Sequence, residues 1–146
     1  MRRTALALTI AVAVAGSVVA AALGSQQGAA GGTGPKLVKT MKAAGFGQVL
    51  ATAGNRALYY WTPEKRAPGK IRCTGACATA WPPLIVSKGV KVTRRVSGYA
   101  GSFGTIRRPD GRLQLTYNRL PLYTYAHEAP RQVLCNNVDG WFVVKP

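Results

Sequence analysis

Leu58-Tyr-Tyr-Trp-Thr-Pro-Glu64 and, further along the chain, Leu122-Tyr-Thr-Tyr-Ala-His-Glu128 decide the reading of the fold. Both contain Leu-Tyr-x-aromatic-x-x-Glu: Leu58, Tyr59, Trp61 and Glu64, then Leu122, Tyr123, Tyr125 and Glu128. Aromatic and branched residues spaced two apart favour a strand. In a strand, Tyr59 and Trp61 share one face while Leu58 and Tyr60 share the other. Tyr123 and Tyr125 repeat the first face. A Cys-bearing loop and a Trp follow each kernel: Cys73, Cys77 and Trp81, then Cys135 and Trp141. The same features recurring in the same order predict a two-unit repeat.

Turn signals surround the kernels. Ala53-Gly54-Asn55 precedes the first, and Asn118 to Pro121 precedes the second. Pro109-Asp110-Gly111 predicts a hairpin between Gly104-Thr-Ile-Arg and Leu113-Gln-Leu-Thr-Tyr117. Val90 to Val96 reads as a weaker strand, and residues 75–81 as one helical turn. The expected fold is all-β. Two pseudo-repeated antiparallel units pack as a small sandwich or a partly closed barrel, preceded by an N-terminal apolar signal helix.

Met1-Arg2-Arg3 is a short positive segment, and Thr4 to Gly24 carries no charge. Ala20 and Ala22, or Ala22 and Gly24, supply the small residues of a cleavage site, so 1–24 reads as a signal peptide. Uncut, the same stretch is long enough to anchor the chain in a bilayer. No Cys closes the apolar run, so lipidation is not expected. Residues 25–41, rich in Gly, Ala and Gln at first, read as a flexible linker. Residues 42–146 form one domain with a modest core.

The chain carries 20 Lys and Arg against four Asp and Glu, +16 in all; loss of Arg2 and Arg3 leaves about +14. Such a field attracts polyanions without naming one. The basic residues are dispersed, as in Lys65-Arg66, Arg94-Arg95 and Arg107-Arg108, so the plainer reading is a solvated surface that keeps the protein soluble.

The chain resembles a bacterial secreted-repeat family of unknown function, predicted lipoproteins with a Tyr-x-(Phe/Trp/Tyr)-x-x-Asp motif. The matching pieces include Arg56-Ala-Leu-Tyr-Tyr-Trp, Cys73-Thr-Gly-Ala-Cys-Ala, Trp81-Pro-Pro-Leu, Pro109-Asp-Gly, Pro121-Leu-Tyr-Thr-Tyr and Trp141. The resemblance implies an extracellular or cell-envelope location and no particular chemistry. Glu64 and Glu128 stand where the motif has Asp. The lipid-bearing Cys of many members is missing.

An oxidising compartment makes Cys73 and Cys77 natural disulfide partners. Their short loop limits the stabilisation to about 2 kcal/mol. Cys135 is then left to pair across the repeat, to link two chains or to stay free. A metal reading takes Cys73, Cys77, Cys135 and His127 as a Cys3His set for zinc or copper. Against it, the two Cys of the first unit are spaced Cys-x-x-x-Cys rather than Cys-x-x-Cys, which also argues against thiol–disulfide catalysis.

Tyr59, Trp61, Glu64, Tyr123, Tyr125, Glu128, Trp81 and Trp141 read first as a structural motif, with rings filling the core and carboxylates capping turns. The rival reading is a carbohydrate site, where acids act and rings stack on sugar. Classical catalysis finds a single His, no Gly-x-Ser-x-Gly elbow and no phosphate loop. No nucleic-acid module is recognisable, so no specific nucleic acid is expected.

The expectation is therefore a secreted or extracytoplasmic, non-enzymatic module of the bacterial envelope, without a cofactor. Its basic surface would contact anionic cell-wall or matrix polymers, and it would touch a membrane only if the N-terminal segment is retained. The alternative is an extracytoplasmic metal-binding or redox protein using Cys73, Cys77, Cys135 and His127. The sequence leaves the oligomeric state open.

Overall fold

A computed structural model describes residues 37–146. The expected signal segment and residues 25–36 of the expected linker lie outside the described residues. In chain order the elements are β1 (Val38–Ala43), β2 (Gly47–Thr52), β3 (Tyr59–Trp61), α1 (Thr62–Lys65), α2 (Ala76–Ala80), β4 (Ile85–Val86), β5 (Phe103–Arg107), β6 (Leu113–Tyr117), β7 (Leu120–Pro121) and β8 (Trp141–Val143). Strands predominate, as expected. β1 starts at Val38, so the last residues assigned to the linker belong to the domain. Val38 and Met41 are buried through the pairing of β1 with β2. Among the described residues no helix is long and apolar enough to cross a membrane.

Each unit opens with a hairpin, β1–β2 in the first and β5–β6 in the second. The Pro109-Asp110-Gly111 turn lies between β5 and β6, with Gly111 at φ 83°. Asn118 and Arg119 form the two-residue connection from β6 to β7, at φ 51° and 65°. Two successive left-handed residues make a turn whose twist suits a tight hairpin.

The sheets do not divide by unit. β3 of the first unit pairs with β8 of the second, and β4 of the first pairs with β6 of the second. Two three-membered rings of backbone hydrogen bonds mark the exchange. Leu50 donates to Val144, Val144 to Leu58, and Leu58 to Leu50, at 2.8–2.9 Å. Leu84 donates to Leu122, Leu122 to Leu115, and Leu115 to Leu84, at 2.8–3.0 Å. Each ring takes two residues from one unit and one from the end of the other. No sheet closes into a barrel among the described residues.

The exchanged backbone forms a layer with apolar side chains on both faces. Tyr59, Tyr123 and Val143 enter one core with Val49, Ala51, Trp81 and Trp141. Their neighbours Leu58, Leu122 and Val144 enter a second core with Leu50, Phe103 and Leu115. This is the period-two alternation expected of the kernels.

Two expected strands are absent. Around Tyr123 there is only bridge pairing, to Tyr59 and to Pro83. The segment facing this kernel is Trp81-Pro82-Pro83, and prolines have no N–H to continue a ladder. In the first unit the corresponding partner is Trp141-Phe142-Val143, which pairs in full with β3. Residues 90–96 are also irregular. Val90, Val92 and Val96 pack on the second core, but no neighbouring strand forms a ladder with that backbone.

Candidate functional site

The two motif tyrosines lie side by side where the units cross. Tyr59 N–H donates to Tyr123 O at 2.8 Å, and Tyr123 N–H donates to Tyr59 O at 3.0 Å. Their side chains reach opposite units. The Tyr59 hydroxyl donates to Oε1 of Glu128, and the Tyr123 hydroxyl lies 2.9 Å from both carboxylate oxygens of Glu64. Each kernel's acid thus receives the other kernel's tyrosine.

Both acids also hold the loops that follow them. Glu64 Oε1 accepts the backbone N–H of Arg72 at 2.7 Å and of Cys73 at 3.1 Å. Glu128 Oε1 accepts the N–H of Leu134 at 2.7 Å, just before Cys135. Glu64 and Glu128 are 1% and 3% exposed. Carboxylates this buried are not presented to a sugar, so the carbohydrate reading finds no support here.

Four rings stack through the same centre. Trp61 lies on Trp141 (5.4 Å between centroids), Trp141 on Trp81 (3.8 Å) and Trp81 against Tyr125 (4.6 Å). Tyr59 meets Trp81 edge-on, and Tyr123 meets Trp141 in the same way. Exchanging the units maps this cluster onto itself: Trp61 onto Tyr125, Trp81 onto Trp141. Such edge-to-face and offset contacts stabilise beyond simple burial.

Burial first, and then the hydrogen bond to Glu128, holds the Tyr59 hydroxyl pKa far above the usual tyrosine range. Burial and the charge of Glu64 do the same for Tyr123. A native pKa raised above the unfolded one contributes stability that is intact below about pH 10 and is lost as pH rises beyond it. We expect the unfolding free energy to fall above pH 10, with each of these tyrosines contributing about 1.4 kcal/mol per pH unit. Urea titrations between pH 8 and 11 check this. Tyr123→Phe should flatten the slope by one such step, and an unchanged slope contradicts the assignment.

The sulfur atoms are divided. Cys73 and Cys77 form a disulfide, while Cys135 is free and half-buried against the first core. Burial and the nearby Glu128 raise the Cys135 thiol pKa. His127 is exposed, its ring edge-on to Tyr125. The disulfide removes two thiolates from the Cys3His set, and among the described residues no cluster of three or more His, Cys, Asp or Glu could hold a metal. The metal alternative therefore loses two of its four ligands.

The units are unequal beneath their symmetry. Near Glu64, the buried Arg108 donates to Gln114 and, at 2.9 Å, to Cys73 O. Near Glu128, Oε2 is buried without a hydrogen-bond partner. Arg108, read from the sequence as part of a basic surface, is a core residue. Its neighbour Arg107 is exposed.

Apart from the half-buried Lys39 and Arg56, the remaining cations among the described residues are exposed. With Glu64 and Glu128 buried, the surface acids are Asp110 and Asp139. Asp110 is already engaged by Arg112 at 2.7 Å, whose hydrogen bonds lower its pKa. Two adjoining hollows lie among the unopposed cations. One, of about 540 Å³, is lined by Arg94, Ser102, Thr105 and Arg119, and the other, of about 350 Å³, by Lys65, Asn118 and Arg119. Sequence reading missed this grouping, because Lys65, Arg94 and Arg119 belong to three separate segments. The only local signal was the Asn118–Pro121 turn.

No curated protein and no solved structure matches the chain. Residues 40–85, from within β1 to the first residue of β4, match the model of a family described as a secreted repeat of unknown function.

Proposed function

We propose that this protein is a non-enzymatic extracytoplasmic module that holds anionic polymers of the cell envelope against its basic surface. One observation carries the reading. Half of its four acids are consumed inside the fold, while among the described residues Arg108 is the one buried Lys or Arg. The folded surface is therefore more one-sided in charge than the sequence. Secretion, the description of the family matched by residues 40–85, supplies the setting. The conspicuous tyrosines, tryptophans and glutamates serve the crossing of the units, which leaves the surface as the working part.

Binding driven by released counterions weakens linearly in log–log form as salt rises. For about four phosphate contacts on a flexible polymer, affinity should fall roughly 50-fold between 50 and 200 mM salt. Fluorescence anisotropy with a labelled polyanion measures this. No binding at 20 mM salt would end the proposal.

A further inference from the structure

We propose that the groove running past Lys65, Arg94 and Arg119 is the seat of a linear phosphate-bearing polymer. The inference rests on the polyanion reading above and gives it a place and a chemical class.

The two hollows share Pro68 and Arg119, so they form one continuous path. Lys65, Arg94 and Arg119 are all exposed along it. None has a carboxylate partner: among the described residues both ion pairs go to Asp110, from Arg108 and Arg112. The floor is β5, an edge strand of its sheet. Gly104 keeps that floor low, since a Cβ there would come within 3.1 Å of Thr116 Oγ1. Ser102 and Thr105 place hydroxyl groups beside the cations. Guanidinium forks with neighbouring hydroxyls suit the several acceptor oxygens of a phosphate. A path open at its surface, with cations at intervals, suits a chain of them better than a single ion.

Arg119 adds a second line of argument. Its backbone is left-handed (φ 65°), a conformation in which an arginine is strained and Asn or Gly is not. Counting back from Tyr59 and Tyr123, the matching residue of the first unit is Asn55, at φ 63°. The second unit thus keeps a strained arginine where its twin carries a residue suited to the turn. Strain held beside a groove is what a functional side chain leaves behind.

The test uses the full chain, labelled linear inorganic polyphosphate, and poly-glutamate as a carboxylate polymer. Arg119→Asn restores the residue type of the first unit. Arg131→Asn removes the same charge from another left-handed position (φ 70°) that lines neither hollow. Arg119→Asn should keep or raise the Tm and lower the salt slope of polyphosphate binding by about 0.7. The triple variant Lys65→Gln/Arg94→Gln/Arg119→Asn should lower it by about 2. Arg131→Asn should leave the slope unchanged. Equal losses from Arg119→Asn and Arg131→Asn overturn the groove while leaving the polyanion reading intact. Poly-glutamate bound as tightly as polyphosphate, with the same losses, overturns the phosphate class. A wild-type chain that binds neither polymer at low salt removes both proposals.

Discussion

Glu64→Ala is expected to cost about 3–5 kcal/mol of unfolding free energy, the penalty for stranding several buried donors at once. Glu64 receives the Tyr123 hydroxyl and the backbone N–H groups of Arg72 and Cys73. Alanine leaves all three without an acceptor. Glu64→Gln keeps an acceptor oxygen and should cost less. Glu128→Ala should also cost less, because that acid accepts fewer donors and one of its oxygens is already unpartnered. Urea denaturation of the three variants gives the ranking. A loss below about 1 kcal/mol for Glu64→Ala would show that water reaches these donors and that the carboxylate does not hold the crossing.

Trp81→Ala is the second large effect, at about 3–5 kcal/mol. Trp81 touches Tyr59, Tyr125 and Trp141, so its removal opens a cavity against both units. Trp141→Ala should match it, because Trp141 stands in the corresponding place against Tyr123, Trp61 and Trp81. Because backbone bonds as well as rings cross between the units, unfolding should stay a single transition in either variant. Coincident transitions by far-ultraviolet and near-ultraviolet circular dichroism test this. A surviving second transition would show that one unit stands alone.

This interdependence gives the motif its physical meaning. A carboxylate in each kernel does not close a turn of its own unit alone. It receives a phenol from the other unit while holding the backbone of its own Cys-bearing loop. A single unit would expose half of each aromatic core and leave its tyrosine without an acceptor. The family match over residues 40–85 therefore covers a piece whose aromatic core, in this chain, is closed by residues that follow it, Tyr123 and Trp141 among them.

Much of this was legible locally. Leu58-Tyr-Tyr-Trp alternates with period two, and Leu58 and Tyr59 do enter opposite cores. The Pro109-Asp110-Gly111 hairpin and the helical turn at Ala76–Ala80 also follow from neighbours in sequence. The second kernel misled, because the prolines that stop its ladder lie at Pro82-Pro83, far from Tyr123 along the chain. Residues 90–96 misled in another way, since alternating valines report burial and not whether a strand edge is waiting beside them.

By itself, then, the amino-acid sequence determined the predominance of strands, the strand faces, the core aromatics and the excess of positive charge. Each is set by composition or by spacing within a few residues. The tertiary structure alone decided that the units exchange strands, that Tyr59 bonds Glu128 and Tyr123 bonds Glu64, that Arg108 is buried, and that Lys65, Arg94 and Arg119 share a groove. Those facts depend on which distant segments meet, and side-chain periodicity says which way a residue faces but not what it faces.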